Sequence, residues 1–157
     1  MKISYEKKLF ALLAAIGATL CITIMSYLNI HSNAPWLIAS FGATMVILFA
    51  LPTSPLARPK NIILGHVLTT IIGLAMLKFI GVNEWSLGLA VGISILTMIL
   101  TDTIHPPAGA NPLIVMISNQ SWDFLFMPLL AGAVLIVFIG YFYHLLISKN
   151  KYPDKWC

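Results

Sequence analysis

The stretch from Thr101 to Val115, TDTIHPPAGANPLIV, places unlike chemical groups side by side. Asp102 brings a carboxylate, Asn111 an amide, and His105 an imidazole that can carry a proton near neutral pH. Pro106, Pro107 and Gly109 stand among them, and such residues interrupt a helix or begin one. A helix start leaves backbone N–H groups unpaired and carries about half a positive charge. Residue types in this order therefore suit binding a small anion at a helix N-terminus. A related stretch, SFGAT from Ser40 to Thr44, holds Ser40, Gly42 and Thr44 at the head of another apolar run. His66 follows Gly65 early in the run after that.

The surroundings of these groups are apolar. The 157 residues are 59% hydrophobic and only 9% charged. A soluble domain carries about a quarter charged residues, so this chain has too few to cover a surface facing water. The composition implies an integral membrane protein with no room for a separate soluble domain. Apolar runs cover Leu9–Leu28, Ala34–Leu51, Ile62–Ile80, Ser86–Thr101, about Pro107–Ser118 and Phe124–Ile147. Short polar loops rich in turn formers separate them. The runs lack the alternation of a membrane barrel, so the expected fold is an all-α bundle of about six membrane segments. The first run is 20 residues long, which fits a retained span better than a signal peptide.

Topology follows from the cations. Lys2, Lys7 and Lys8 precede the first run, Arg58 and Lys60 lie after the second, and Lys149, Lys151 and Lys155 follow the last. Cytoplasmic loops collect Lys and Arg, so both termini and the Arg58 loop are expected inside a plasma (inner) membrane. That requires six crossings. The Pro107–Ser118 crossing is too short: its 12 residues make about 18 Å of helix against a hydrocarbon core of about 30 Å. Non-helical backbone at TIHP must supply the rest, and it survives at that depth only inside protein or beside a watery cavity.

An offset of 67 residues carries Gly42 onto Gly109, Ala43 onto Ala110, Gly65 onto Gly132 and Gly73 onto Gly140. The chain thus reads as two three-segment units, about 5–81 and 82–150. Three crossings separate their starts, so the units are expected to be inverted, with half helices at matching places. Transporters and channels are often built this way.

Two longer motifs carry a resemblance. TDTIHPPAGANPLIV and ASFGATMVILFALPTSPLARPKNIILGH together resemble the HPP family of integral membrane proteins, over about Leu9 to Ile147. Arg58 stands where glutamine is expected, and Pro112 departs from the usual small residues. Plastid members of that family are linked to nitrite transport. The resemblance implies a small membrane transporter for nitrite or a similar anion.

The remaining readings stay open residue by residue. His105 either lines a path and carries a proton or caps a neighbouring helix. His66 either faces that path or bonds a carbonyl. Asn111 and its offset mate Thr44 either line the path or bridge helices. Asp102 is expected to cap the helix that follows it. Arg58 and Asn61 are placed at an inner vestibule, although topology alone accounts for Arg58. Gly88 and Gly92 suit helix packing, and Trp36, Trp85, Trp122 and Trp156 suit interfacial anchors. No nucleophile elbow, HExxH, phosphate loop or carboxylate pair occurs, so no enzyme, metal or cofactor is expected. No basic stripe marks a nucleic-acid partner. The expected partners are a small anion, the lipid bilayer and further copies of the chain. The contrasting function is a membrane scaffold without transport, or a pathway for a cation or neutral solute.

Overall fold

The computed structural model describes residues 4–32 and 34–157; Lys2, one of the topological charges, lies outside the described residues. Six helices follow in order: α1 Tyr5–His31, α2 Ala39–Ala50, α3 Pro59–Phe79, α4 Glu84–Leu100, α5 Asn111–Ile117 and α6 Ala131–Tyr143. Among the described residues there is no strand. Tight turns at Pro55–Ala57 and Pro106–Ala110 precede α3 and α5. Wider helical turns at Leu125–Leu130 and His144–Ser148 extend α6. Among the described residues three helices are long and apolar enough to cross a membrane: Tyr5–His31, Pro59–Phe79 and Leu125–Ser148. Helix α4 follows with 17 residues.

Local chemistry sets these boundaries. Ser4 caps α1 by accepting from the Lys7 N–H. Pro59 opens α3, where its missing N–H costs nothing. Asn83 and Ser86 form a reciprocal capping box on α4. Met127 leaves helical angles just before Pro128, which kinks the last span.

The sequence reading measured only the Pro107–Ser118 crossing as too short but expected half helices at both matching places, and the structure has two half-length pieces. Helix α2 has 12 residues. The 67-residue offset carries it onto 106–117, the Pro106–Ala110 turn plus α5. The residues before both pieces, Ile38 and His105, share that offset and extended backbone. Each accepts from an N–H three residues on, Phe41 to Ile38 at 3.0 Å and Ala108 to His105 at 2.9 Å. The lead-in to α2 is held by Asn29 Oδ1, which accepts from the Trp36 N–H at 2.8 Å.

Packing repeats at the same offset. A Cβ on Gly65 would lie 3.6 Å from Ala108, and one on Gly132 would lie 2.5 Å from Phe41. One on Gly73 would lie 2.5 Å from Val115, and one on Gly140 would lie 2.7 Å from Leu48. Phe41 and Ala108 are offset mates, as are Leu48 and Val115. The contacts are therefore exchanged in the manner of an isologous interface. Lipid tails are as apolar as leucine, so burying apolar area drives such contacts weakly. Close approach at small residues holds them instead.

The two half-length pieces run in opposite directions. The segment before 106–117 is tied to the start of α3, where Asn61 Nδ2 donates to Ile104 O at 3.0 Å. Helix α2 begins beside the end of α1 and ends where His144 Nε2 donates to Leu48 O at 2.9 Å. Tyr143 donates to Leu13 O, which brings the end of α6 to the start of α1. The described cations Lys7, Lys8, Arg58, Lys60, Lys149, Lys151 and Lys155 thus gather at one end of the bundle. Lys78 lies near the other, at the end of α3.

The molecule is apolar outside and holds polar groups within its apolar core. Val46, Phe79, Ile99, Phe138 and Leu146 are each more than half exposed, a surface suited to lipid and not to water. Ser40, Thr44, His66, Thr69, Thr70, His105, Asn111 and His144 are buried.

Candidate functional site

The buried polar groups meet between the half helices and α3. Thr44, in mid-α2, sets its Oγ1 3.1 Å from His66 Nε2 and 3.0 Å from His105 Nε2. His66 sits on the second turn of α3. Its Nδ1 is 2.8 Å from Asn111 Nδ2 at the start of α5. Asn111 Nδ2 also donates to Thr69 Oγ1 at 3.1 Å and lies 3.2 Å from His66 O. His105 Nδ1 is 2.9 Å from Leu56 O in the turn before α3. The two imidazoles stand edge to face with ring centroids 5.1 Å apart. Thr44, His66, His105 and Asn111 are fully buried at 0% exposure, so the cluster is sealed in this conformation.

Local sequence explains the placement. Gly65 leaves room for the break: a Cβ there would meet Thr103 O and His105 Cβ at 3.0 Å each. The non-helical residues 103–105 turn His105 inward toward Leu56 and Thr44. Pro106 and Pro107 start the next piece without needing amide partners.

Most residues singled out in the sequence come together here: Thr44, His66, His105 and Asn111 in the cluster, Ser40, Pro106 and Pro107 beside it. Ser40, Ala43, Val46, Pro106, Pro107 and Ala110 line an apolar groove of about 640 Å³ between α2 and 106–114. Ser40 Oγ is buried without a partner, as is Asn111 Oδ1.

Gly42 and Gly109 lie elsewhere in kind. No tertiary neighbour comes within 4 Å of a Cβ built on either, so no close approach within the chain requires glycine at these two places. Asp102 corrects the sequence reading. It has a left-handed φ of 52°, is 90% exposed on its side chain and faces Lys60 at 3.9 Å. Three residues separate it from the next helical turn, whose cap position is His105, so its carboxylate caps nothing. Arg58 and Asn61, placed at a vestibule by the sequence reading, have partners within the chain. Arg58 faces Asp154 of the C-terminal tail at 3.8 Å, and Asn61 is spent on Ile104.

Two participants escaped the sequence reading. Thr69 lies one helical turn beyond His66, and that spacing is the signal that would have found it. The Leu56 carbonyl has no sequence signature. Among the described residues no three His, Cys, Asp or Glu side chains converge as a metal site would require.

An apolar exterior, spans of membrane length and a polar interior define a polytopic α-helical integral membrane protein. The chain matches the family described as HPP, transmembrane region, over residues 4–153, and it belongs to that family. It is 36% identical over 153 residues to a transmembrane protein of Dictyostelium discoideum, a match covering 92% of this chain and 54% of that protein. A second transmembrane protein of the same organism is 31% identical, with 92% and 49% covered. The chain spans about half the length of these curated relatives. No solved structure matches it.

Proposed function

We propose that the chain moves a small solute across its membrane, a monovalent anion such as nitrite, along the line where the two half-length segments meet. The observation that carries this reading is the pairing of α2 and 106–117. Both are too short to cross alone, both are entered through extended backbone, and together they enclose Thr44, His105 and Asn111. A protein that only packs helices has no need to bury these groups, since buried polar groups in lipid are costly. Two helix starts in the protein body favour an anion, and five acids in all leave few ligands for a cation. The gathering of cations at one bundle end supports a cytoplasmic side there, in a plasma (inner) membrane. Several copies assemble side by side, and no chemistry is catalysed.

The sealed cluster favours a contrasting reading, a scaffold without transport. Flux decides between them. Protein is reconstituted into liposomes holding a pH-sensitive dye, and nitrite, formate, chloride and nitrate are added in turn. Empty liposomes and the His105→Ala and Asn111→Ala variants run beside it. Protein-dependent nitrite or formate flux that both variants reduce at least tenfold is the expected result. Absence of flux for all four anions overturns the anion reading and leaves the scaffold.

A further inference from the structure

The hydrogen bonds of the cluster run in one direction only. Leu56 O can only accept, so His105 Nδ1 carries the hydrogen of their 2.9 Å bond. Neutral His105 therefore presents a lone pair at Nε2, and Thr44 donates its hydroxyl hydrogen to it over 3.0 Å. At the other end Asn111 Nδ2 can only donate, so His66 Nδ1 accepts at 2.8 Å. Neutral His66 then carries its hydrogen on Nε2 and donates to Thr44 Oγ1 over 3.1 Å. The amide orientation is fixed too. Turned over, Asn111 would set Oδ1 against the acceptor His66 O at 3.2 Å. The relay reads Asn111 to His66 to Thr44 to His105 to Leu56, with the two imidazoles in opposite tautomers.

The two rings differ in what a proton would do. A proton on His66 lands on Nδ1, facing Asn111 Nδ2, which only donates; the bond is lost unless the amide turns over, and turning it sets Oδ1 against His66 O and gives up the bond to Thr69. A proton on His105 lands on Nε2, facing Thr44 Oγ1. That oxygen then accepts from both imidazoles, and its own hydrogen turns to Ser40 O, which lies 3.1 Å away. Every bond of the relay survives a single hydroxyl rotation.

We propose that His105 Nε2 is a binding site for one proton, switched by rotation of the Thr44 hydroxyl, while His66 stays neutral. The site takes a single proton, because the neighbouring ring at 5.1 Å would repel a second charge. Among the described residues, Thr44 and Leu56 are the hydrogen-bond partners of the His105 ring. The ionisable groups on the elements around it are His66, Lys60 and Lys78 on α3, Glu84 on α4, Arg58 after the Leu56 turn and Asp102 before the break; Lys78 and Glu84 lie at the far ends of their helices. Lys60 faces Asp102, and Arg58 faces Asp154. The inference stands whatever the solute, and it adds to transport a place where a proton can be taken up.

Nitrogen-15 NMR of histidine-labelled protein in lipid nanodiscs reads tautomer and charge ring by ring. His66→Gln and His105→Gln assign the two signals. The sample is taken from about pH 8 to about pH 4, a window bracketing the ordinary imidazole value. His66 is expected as the neutral Nε2–H form throughout. His105 is expected as neutral Nδ1–H at the top, with the doubly protonated ring growing in toward the bottom. Thr44→Ser keeps that titration, and Thr44→Val, which leaves Nε2–H without an acceptor, moves it at least tenfold in proton concentration toward acid. Charging of His66 before His105, an Nε2–H tautomer on neutral His105, His105 neutral to the end of the window, or a valine variant that titrates like the parent each overturns the proposal. If the valine variant does not fold, the parent's tautomers and order of charging decide alone.

Discussion

Replacing Gly73 with alanine tests how the half-length segments are locked in place. A Cβ at Gly73 would lie 2.5 Å from Val115 Cγ2 and 2.7 Å from Pro112 Cα. Carbon atoms rest about 3.5–4.0 Å apart, so the two surfaces must separate by about 1 Å. Neither neighbour yields easily. Valine is stiff about χ1, and the Pro112 atom is backbone, at the head of α5. Overpacking of this kind costs about 1–3 kcal/mol, and the contact with backbone places Gly73→Ala in the upper part of that range. Alanine returns up to about 1 kcal/mol through helix propensity. The net loss is about 1–2 kcal/mol. Gly92→Ala is the comparison: nothing stands within 4 Å of that Cβ, so the propensity gain of up to about 1 kcal/mol is unopposed. Gly140→Ala falls between, because its close neighbours are the terminal carbons of Leu48, a side chain able to move. Thermal unfolding of the three variants in one detergent should rank them Gly73, Gly140, Gly92 from least to most stable. If Gly73→Ala melts with Gly92→Ala, α3 and the 106–117 segment are not packed as described.

Two further substitutions probe the polar groups. Asn111→Ala removes the donor to His66 Nδ1 and Thr69 Oγ1, and an orphaned buried acceptor costs about 1–3 kcal/mol; unfolding in detergent should fall by that amount, and an unchanged melting temperature would contradict the relay. Tyr152→Phe works in the opposite sense. Tyr152 Oη is buried in the C-terminal tail without a partner, and burial pushes its hydroxyl above the ordinary tyrosine value. Its removal should leave stability unchanged or raise it by up to about 1 kcal/mol, and a clear loss in the same assay would show a bond that the structure does not contain.

Much of the fold was legible because hydropathy and helix breaking act locally. Apolar runs located the spans to within a few residues, with α3 from Pro59 in place of Ile62 and α4 from Glu84 in place of Ser86. The break at TIHP followed from Pro106, Pro107 and the polar residues before them. The bounds of the other half-length piece were not legible, because Ala34–Leu51 is long enough to read as a full apolar run. What shortens its helix is the extended lead-in held by Asn29, a contact seven residues away. Asp102 was misplaced because a cap depends on where the next helical turn begins, and three non-helical residues intervene.

The candidate site divides along the same line. Residue type and spacing marked His105, Asn111, Thr44 and His66 as polar groups out of place in lipid, and the glycine offset related the two halves in which they lie. Which of them touch was decided by tertiary packing. Thr44 reaches His105 across 61 residues and His66 across 22, and Asn111 reaches His66 across 45. Whether such side chains meet depends on how far each helix is turned about its own axis. That rotation is set by the glycine-mediated contacts of α3 with 106–117 and of α6 with α2, between residues far apart in the chain. Period and composition determine that a helix forms and which groups it carries, and only the assembled bundle determines where those groups point.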